Sequence, residues 1–280
     1  MNTATFEDKY EYIDKEPINN GGFGLIHRIK DKKTKTEYIL KKINKIEQET
    51  FENELDFLKN VKWTNILNLI DYYFNQNGNY HYLILEEMES DLSVMLNNYK
   101  NGMSSKLIRK IFSQINSGLK LMINNKKTHL DLKPENILFS YTNEKKTDFI
   151  VKIGDFGFSK DLVSTKNEQS NVGTDKFKAP EIEKGIYSNK CDLYSIGIIL
   201  YMLKTGEYIF ERKTKFEILK NKYANKIKKE IDDTKLNNLI KKLVVIDPHK
   251  RMEWKDYFED PFFKVNDEDV KESEECKINN

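Results

Sequence analysis

The fold of this 280-residue chain is decided by His129-Leu130-Asp131-Leu132-Lys133-Pro134-Glu135-Asn136 and by the later triplet Asp155-Phe156-Gly157. The first run places a carboxylate and an amide, Asp131 and Asn136, five positions apart on one loop. The second run places another carboxylate before a Phe-Gly pair. Transfer of a phosphoryl group from ATP requires one Asp that orients a hydroxyl, and an Asn and an Asp that hold Mg²⁺ against the phosphates. The triplet Ala179-Pro180-Glu181 follows at loop distance, so a chance occurrence of the whole set is rare.

These motifs resemble those of the eukaryotic protein kinases, and the resemblance covers residues 8–263. It implies an ATP- and Mg²⁺-dependent serine/threonine protein kinase that transfers the γ-phosphate to hydroxyl groups of a protein substrate. Lys133-Pro134-Glu135 is typical of serine/threonine rather than tyrosine kinases, and Cys191–Leu203 looks most like the calcium/calmodulin-dependent group. The alternative is a pseudokinase, a nucleotide-binding or scaffold module on the same fold.

The composition favours no nucleic-acid or membrane partner. The 47 basic and 45 acidic residues leave a net charge of +2, too small for a strong global field. Cys191 and Cys276 are too few and too far apart to suggest a disulfide framework or a zinc site. Met1–Glu11 is polar rather than basic and then apolar, and the longest apolar run, Tyr194–Leu203, is too short to span a bilayer. We therefore expect a soluble protein in the cytoplasm, with the nucleus as the alternative location.

The order of the secondary-structure patterns predicts an α+β, bilobal fold. Alternating or β-rich runs predict strands near residues 10–18, 24–30, 37–43, 67–74 and 80–86, interrupted by one helix near residues 47–60. From Asp91 onward the pattern turns helical, and Leu107, Ile111, Ile115 and Leu119 mark a long amphipathic helix. We expect a β-rich N-lobe over 8–86, a hinge over 86–91, a helical C-lobe over 92–263 and a polar tail over 264–280.

The resemblance assigns the nucleotide to a glycine-rich segment, a strand lysine and the hinge. In the segment that begins at Asn19, two positions match the glycine pattern and Asn19 replaces the first glycine; a plain hairpin turn explains the same residues. Ile39 stands where the family has Ala, and its larger side chain could narrow the adenine pocket. Asp91 has two interpretations, a ribose contact or a helix cap. The expected nucleotide-binding residues are Asn19, Gly21, Gly24, Ile26, Ile39, Lys41, Leu85, Glu86, Met88, Asp91 and Leu138.

Glu54 is the expected partner of Lys41, the residue that by resemblance contacts the α- and β-phosphates. On the predicted helix, Phe51, Leu55 and Leu58 mark the buried stripe, and Glu54 falls within it. A carboxylate among core positions needs a cationic partner, although a Glu at the edge of the stripe could also reach solvent. The short separation of these two residues requires a tight connection between strand and helix.

The resemblance gives each catalytic-loop residue a role. Asp131 is the candidate base, and Lys133 neutralises charge on the transferred phosphate. Asn136 and Asp155 bind Mg²⁺, which prefers hard oxygen ligands. Thr174 is expected to hydrogen-bond Asp131. In supporting roles, His129 is expected to pack beneath Phe156 in a stack with Leu58 and Leu69, Glu181 to pair with Arg251, and Asp192 to anchor the backbone of the catalytic loop.

Leu130 departs from the family in a way that bears on regulation. Most regulated kinases have an Arg at this position, which pairs with a phosphate on the activation loop. Leucine donates nothing to a phosphate on Ser164, Thr165 or Ser170. We therefore expect an enzyme that is constitutive or is switched by a partner protein whose identity the sequence does not give. Leu130, Asn19 and Ile39 are also the departures that favour a pseudokinase.

Overall fold

The computed structural model describes residues 5–21, 24–75, 78–161, 173–185, 187–210 and 227–264. The described residues of Met1–Ser90 and Leu138–Lys160 form one compact unit, and the described residues of Asp91–Ile137 and Asp161–Asn280 form a second. The first is built on an antiparallel sheet with one long helix, and the second is mainly helical. The predicted α+β, kinase-like fold class is confirmed.

The sheet of the first unit has the strand order β1-β3-β4-β6-β5, and β2 pairs with β3 on the same side as β1. The six strands are β1 (Tyr10–Tyr12), β2 (Asn19–Gly21), β3 (Gly24–Asp31), β4 (Glu37–Asn44), β5 (Leu69–Tyr73) and β6 (Tyr80–Leu85). The single strand predicted over 10–18 is therefore wrong, because β1 and β2 are separate. Pro17 in the gap has no N–H for a sheet ladder, and Asp14 turns its side chain to Arg28 at 2.8 Å.

One face of this sheet is covered by the short helix α1 (Phe6–Lys9). A core cluster on this face consists of Phe6, Tyr10, Ile29, Leu40, Tyr82 and Ile84. The ring of Phe6 lies 5.6 Å from that of Tyr10 and 5.2 Å from that of Tyr82. Because side chains alternate along a strand, residues such as Lys41 and Leu83 occupy the opposite face.

The helix α2 (Gln48–Asn60) follows β4 through a single 3₁₀ turn, Lys45–Glu47. Asn44 caps this turn by accepting a hydrogen bond from the backbone N–H of Ile46. The turn supplies the tight connection that the Lys41–Glu54 spacing requires. The buried residues of α2 are Thr50, Phe51, Glu54, Leu55, Phe57 and Leu58, which is one face of a 3.6-residue period.

Strands β9 (Ile137–Tyr141) and β10 (Phe149–Ile153) pair with each other, and most of this hairpin belongs to the first unit. Asn65 joins it to that unit by donating from its side chain to the Val151 carbonyl at 2.9 Å and by accepting from the Ile153 N–H at 3.0 Å. Residues 138–160 had been predicted as part of the C-lobe. Their hydrogen bonds to residues 65–67 group them instead with the sheet, a long-range contact that no local periodicity reveals.

The second unit contains five helices within the part of the chain that the structure describes. They are α3 (Leu92–Asn97), α4 (Ser105–Asn124), α5 (Lys190–Thr205), α6 (Thr234–Leu243) and α7 (Trp254–Phe258). The predicted amphipathic helix is α4, which begins where the Ser104 hydroxyl accepts from the Leu107 N–H at 3.2 Å. The predicted apolar run lies inside α5, which is buried along nearly its whole length. A Cβ on Gly197 would lie 2.6 Å from Val244, so glycine lets α5 approach the end of α6 closely.

Short elements complete the described chain. They are the two-residue strands β7 (Ser90–Asp91), β8 (Lys127–Thr128) and β11 (Lys160–Asp161), and 3₁₀ turns at Pro134–Asn136, Ile182–Lys184 and Pro261–Phe263. None of the helices described here is long and apolar enough to traverse a bilayer.

Candidate active site

Lys41 lies at the centre of the candidate site in the first unit. Its Nζ is 2.6 Å from Glu54 Oε2 and 2.8 Å from Asp155 Oδ1. Glu54 is 0% exposed and Lys41 is buried, whereas the side chain of Asp155 keeps 26% of its accessible surface. The predicted Lys41–Glu54 contact is therefore present, and Glu54 does not reach solvent.

The electrostatics of these three groups are strongly linked. Burial lowers the pKa of Lys41, but the charges of Asp155 and Glu54 more than offset it, so the pKa lies above its ordinary value. Burial raises the pKa of Glu54, and the charge and hydrogen bond of Lys41 oppose that rise. Glu54 Oε1 has no hydrogen-bond partner among the described residues. Lys41 is the cation that both carboxylates of this cluster share.

The backbone around Asp155 is specialised. Asp155 has φ of 60°, in the left-handed region, which Asp tolerates better than most residues. The next ring, Phe156, lies 4.2 Å from Phe57 of α2. A Cβ on Gly157 would lie 2.5 Å from Thr50 Cγ2, and Asn53 Nδ2 donates to the Gly157 carbonyl at 3.2 Å. Helix α2 therefore fixes the Asp-Phe-Gly triplet. The expected stack of Phe156 with His129, Leu58 and Leu69 stays a prediction.

The glycine-rich segment forms the β2–β3 pairing, with Asn19 opposite Ile26 and Gly21 opposite Gly24. A Cβ on Gly24 would lie 2.2 Å from the Lys42 carbonyl oxygen. Glycine is therefore required at this position by strand packing, whether or not a phosphate approaches it. Residues 22 and 23 at the tip lie outside the described residues.

The strand register places several expected nucleotide contacts on one sheet face. Ile26 is opposite Lys41, and Ile39 is opposite Leu85. Paired residues share a face, and positions two apart along a strand share it too. Ile39 therefore stands beside both the lysine and the predicted gatekeeper, Leu85.

The hinge residues and Leu138 are positioned mostly by contacts within the first unit. The Glu86 N–H donates to the Asn68 carbonyl at 3.1 Å, and the Ser140 hydroxyl lies 3.7 Å from Met88 Sδ. Leu138 Cδ1 lies 3.3 Å from the position of a Cβ on Gly154. Asp91, in the second unit, caps α3 by accepting from the N–H groups of residues 93 and 94. Asp91 is therefore a helix cap in the structure, and its contact with a ribose stays a prediction.

The catalytic-loop residues converge on Asp131 in the second unit. Asp131 Oδ1 accepts from the N–H of Thr174 at 2.7 Å and from its hydroxyl at 2.8 Å. Asp131 Oδ2 accepts from Lys133 Nζ at 2.7 Å and from Asn136 Nδ2 at 3.1 Å. Lys133 Nζ also donates to Thr174 Oγ1 at 3.0 Å. The expected Thr174–Asp131 hydrogen bond is present, and four donors hold the carboxylate in one orientation.

Asp192 anchors the start of this loop. Its carboxylate accepts from Thr128 Oγ1 at 2.9 Å, from the His129 N–H at 2.7 Å and from the Leu130 N–H at 2.9 Å. Burial raises the pKa of Asp192, while His129 and these hydrogen bonds oppose the rise. Leu130 is held at φ of 66°, a left-handed conformation that costs leucine on the order of 1–3 kcal/mol. The hydrogen bonds of Asp192 stabilise that strained residue.

Glycine at position 173 brings the Thr174 segment against the loop. Gly173 has φ of 83°, and a Cβ there would lie 2.5 Å from the Leu130 carbonyl oxygen. Farther along, Glu181 and Arg251 form a buried bidentate pair at 2.6 and 2.9 Å, as expected from the sequence. Ser164, Thr165 and Ser170, the expected phosphorylation positions, lie outside the described residues.

The donor set fits Mg²⁺. No group of three or more His, Cys, Asp or Glu side chains that could hold a metal occurs in the described ranges. Mg²⁺ does not need one, because it commonly takes one or two protein oxygens and completes its shell with phosphate oxygens and water. The Asn136 side-chain amide N–H donates to the Asp131 carbonyl oxygen at 2.8 Å, which leaves the amide oxygen available to a metal ion. Asp155 supplies a partly exposed carboxylate.

A buried ion pair at the hinge was not predicted from the sequence. Lys152 Nζ lies 2.7 Å from Glu86 Oε1, and the lysine side chain is only 7% exposed. Lys152 stands in the otherwise apolar strand β10, between Val151 and Ile153. A lysine in such a strand is the signal that could have predicted a carboxylate partner.

Comparison with known proteins agrees with this arrangement. The family described as protein kinase domain matches residues 12–263. Calcium-dependent protein kinase 4 of Plasmodium falciparum (isolate 3D7) is 33% identical over 278 residues, covering 94% of this chain and 51% of that protein. Myosin light chain kinase A of Dictyostelium discoideum is 30% identical over 280 residues, covering 93% of this chain and 90% of that protein.

A third relative, serine/threonine-protein kinase atg1 of Dictyostelium discoideum, is 30% identical over 271 residues, covering 92% of this chain and 40% of that protein. The chain spans about half the length of the Plasmodium calcium-dependent protein kinases 3 and 4 that it matches. The resemblance to serine/threonine kinases, with calcium-dependent kinases among the relatives, is confirmed. The match to most of the chain, with the relative of similar length, shows that this chain belongs to the protein kinase family.

Proposed function

We propose that this chain is an active, Mg²⁺-dependent serine/threonine protein kinase that phosphorylates hydroxyl groups of protein substrates with ATP. The observation that carries the proposal is the contact of Lys41 Nζ with both Glu54 and Asp155. This contact supports the proposal, because Lys41 is the proposed phosphate-binding cation and Asp155 is one of the two proposed metal ligands. In protein kinases the lysine–glutamate pair and the metal-binding Asp must both be in place for transfer.

In the first unit, Lys41 binds the α- and β-phosphates, and Glu54 holds the lysine for that contact. The sheet face formed by Ile26, Ile39 and Leu85 packs on the adenine, with backbone groups of Glu86 and Met88 at its polar edge. Asp155 is the proposed Mg²⁺ ligand of the first unit, and Asn136 is the proposed ligand of the second. When bound, the ion neutralises charge that develops on the phosphate oxygens.

In the second unit, Asp131 orients the substrate hydroxyl and accepts its proton. The hydroxyl oxygen forms a bond to the γ-phosphorus, the bond from that phosphorus to the bridging oxygen breaks, and ADP leaves. A carboxylate has about four lone-pair sites, and four donors occupy those of Asp131. The substrate hydroxyl must therefore replace one donor. Lys133 is the one that moves, because its ammonium is also the group that neutralises the transferred phosphate.

Transfer of labelled phosphate tests the proposal. We expect the chain to move the γ-phosphate of ATP to a generic protein such as casein in a Mg²⁺-dependent way, yielding phosphoserine and phosphothreonine. Asp131→Asn is the matched control, because it keeps the size of the side chain and removes the base. General-base catalysis contributes about 10²–10⁴-fold, and we expect a loss of that order. Wild-type transfer no greater than that of Asp131→Asn would instead indicate the pseudokinase.

A further inference from the structure

Glu86, the first hinge residue, is held by three hydrogen bonds within the first unit. Its backbone N–H donates to the Asn68 carbonyl at 3.1 Å. Its carboxylate oxygen Oε1 accepts from the Asn68 N–H at 2.6 Å and from Lys152 Nζ at 2.7 Å. Side chain and backbone of one residue are therefore tied to the same short segment, which fixes the direction of the Glu86 peptide.

At the other end of the Glu86–Lys152 ion pair, the lysine stands on a strand that backbone hydrogen bonds hold in place. Lys152 lies on β10, whose backbone bonds to the segment before β5 through Leu67 N–H to the Ile153 carbonyl at 2.9 Å. Asn65 adds two hydrogen bonds to the same strand. The lysine thus projects from a fixed strand, and its side chain is 7% exposed against 23% for that of Glu86. A pair so little exposed is weakly screened by solvent.

A second connection fastens the end of the hinge to the β9–β10 hairpin. The Glu89 N–H donates to Ser140 Oγ at 2.9 Å, and the Tyr141 N–H donates to the Glu89 carboxylate at 3.2 Å. Lys146 at the hairpin tip also reaches Glu89, at 3.1 Å, but these side chains are 63% and 43% exposed. Exposed pairs of this kind contribute little, so Lys146 serves as a control for the buried pair.

We propose that Lys152 is a positioning residue for nucleotide binding: through Glu86 it holds the hinge backbone in the orientation that binds the adenine edge. The inference rests on the proposed function, because it assumes that Glu86 and Met88 bind adenine. A preorganised backbone loses less conformational freedom when the ligand binds, so releasing it weakens binding without changing the chemical step.

The experiment compares Lys152→Met with Lys146→Met. Methionine is close to lysine in length and suits the apolar strand, but the change leaves the Glu86 carboxylate, 23% exposed, without its cation. Lys152→Met should therefore unfold below the wild-type temperature, and its melting curve shows whether it is folded at the assay temperature. We expect its Kd for ADP, measured by calorimetry, to rise about tenfold, because hydrogen bonds to charged groups are worth roughly that factor. The KM for ATP should rise in parallel while kcat at saturating ATP and the KM for the protein substrate stay unchanged. Lys146→Met should match the wild type throughout.

Glu86→Gln provides a second variant, should Lys152→Met fail to fold. Its amide oxygen can still accept from the Asn68 N–H, but the ion pair is lost, so the same rise in Kd is expected. An unchanged Kd in a folded variant, or a fall in kcat with Kd unchanged, overturns the proposal.

Amide hydrogen exchange separates the hinge proposal from the proposed function. In the protein without nucleotide, Lys152→Met should speed exchange at the amides of residues 86–89, and Lys146→Met should not. If the wild type neither binds nor uses ATP, the proposed function fails while the exchange result still decides whether Lys152 fixes the hinge. Wild-type exchange rates in Lys152→Met would show that the ion pair does not hold this segment.

Discussion

Replacing Lys41 with methionine should make the stability of the protein depend on pH in a defined way. The change leaves Glu54, 0% exposed, without its cation. An uncompensated buried charge costs about 3–5 kcal/mol, so the carboxyl group takes up a proton instead. In the wild type the charge of Lys41 opposes the rise in the pKa of Glu54 that burial causes, and the variant loses that opposition.

The magnitude follows from linkage. The folded variant keeps the Glu54 proton, whereas the unfolded chain releases it above the ordinary pKa of 4.5. A raised folded-state pKa contributes stability at low pH that is lost as the pH rises. At about 1.36 kcal/mol per pH unit, the cost reaches about 3.4 kcal/mol at pH 7 and about 1.4 kcal/mol at pH 5.5. The deficit of Lys41→Met relative to wild type should therefore shrink by up to about 2 kcal/mol over this range.

Urea unfolding at pH 7.0 and pH 5.5 measures this difference, and subtraction of the wild-type values removes other groups that titrate in the window. The double variant Lys41→Met/Glu54→Gln has no carboxyl group at position 54, so its deficit should be equal at the two pH values. The same variants should show no phosphoryl transfer. A deficit of Lys41→Met that does not change with pH, or a double variant with the same pH dependence, would refute this account of the buried pair.

Three further predictions concern the nucleotide pocket, the activation loop and pH. Ile39→Ala should lower the KM for ATP several-fold, because Ile39 lies beside Leu85 on the same face of the sheet. An unchanged or raised KM in steady-state kinetics would show that the pocket already accommodates isoleucine. Buried Leu130 cannot donate a hydrogen bond to a phosphate on the activation loop. Turnover should therefore stay near that of the untreated enzyme, both after phosphatase treatment and in a Ser164/Thr165/Ser170 triple-alanine variant. A loss of about a hundredfold in both samples would contradict this prediction. Burial lowers the pKa of His27, so the stability that neutral His27 contributes is present above about pH 6.5 and is lost as the pH falls below that value. In urea unfolding between pH 7.5 and 5.5, His27→Phe should therefore lose less free energy of unfolding than the wild type. An equal loss in the two proteins would contradict this prediction.

The sequence predicted the parts of the site that depend on residue type and short-range period. The polar side chains of Asp131, Asn136 and Asp155 stand in motifs whose chemistry can be inferred from the sequence alone. Glu54 was found because it interrupts an apolar stripe on a helix, and a carboxylate there needs a partner. In the structure its partner is Lys41, at 2.6 Å.

Long-range and backbone features could not be predicted in the same way. The left-handed conformations of Leu130 and Asp155 are imposed by hydrogen bonds and packing from distant residues, and leucine itself disfavours such a backbone. The hairpin of residues 138–160 belongs to the first unit through contacts far apart in the chain. A charged residue inside an apolar strand indicates that Lys152 needs a partner. The sequence does not identify that partner, because Glu86 lies 66 positions away.

The central claim, that this chain is an active kinase, is tested most directly by measuring nucleotide binding and phosphoryl transfer on the same samples of wild type and Asp131→Asn. The account predicts that both bind ADP with Mg²⁺ about equally, because Asp131 acts on the substrate hydroxyl. It predicts that the wild type transfers the γ-phosphate to protein at least about a hundredfold faster than the variant. Equal binding with equally negligible transfer would contradict the account and leave a nucleotide-binding pseudokinase.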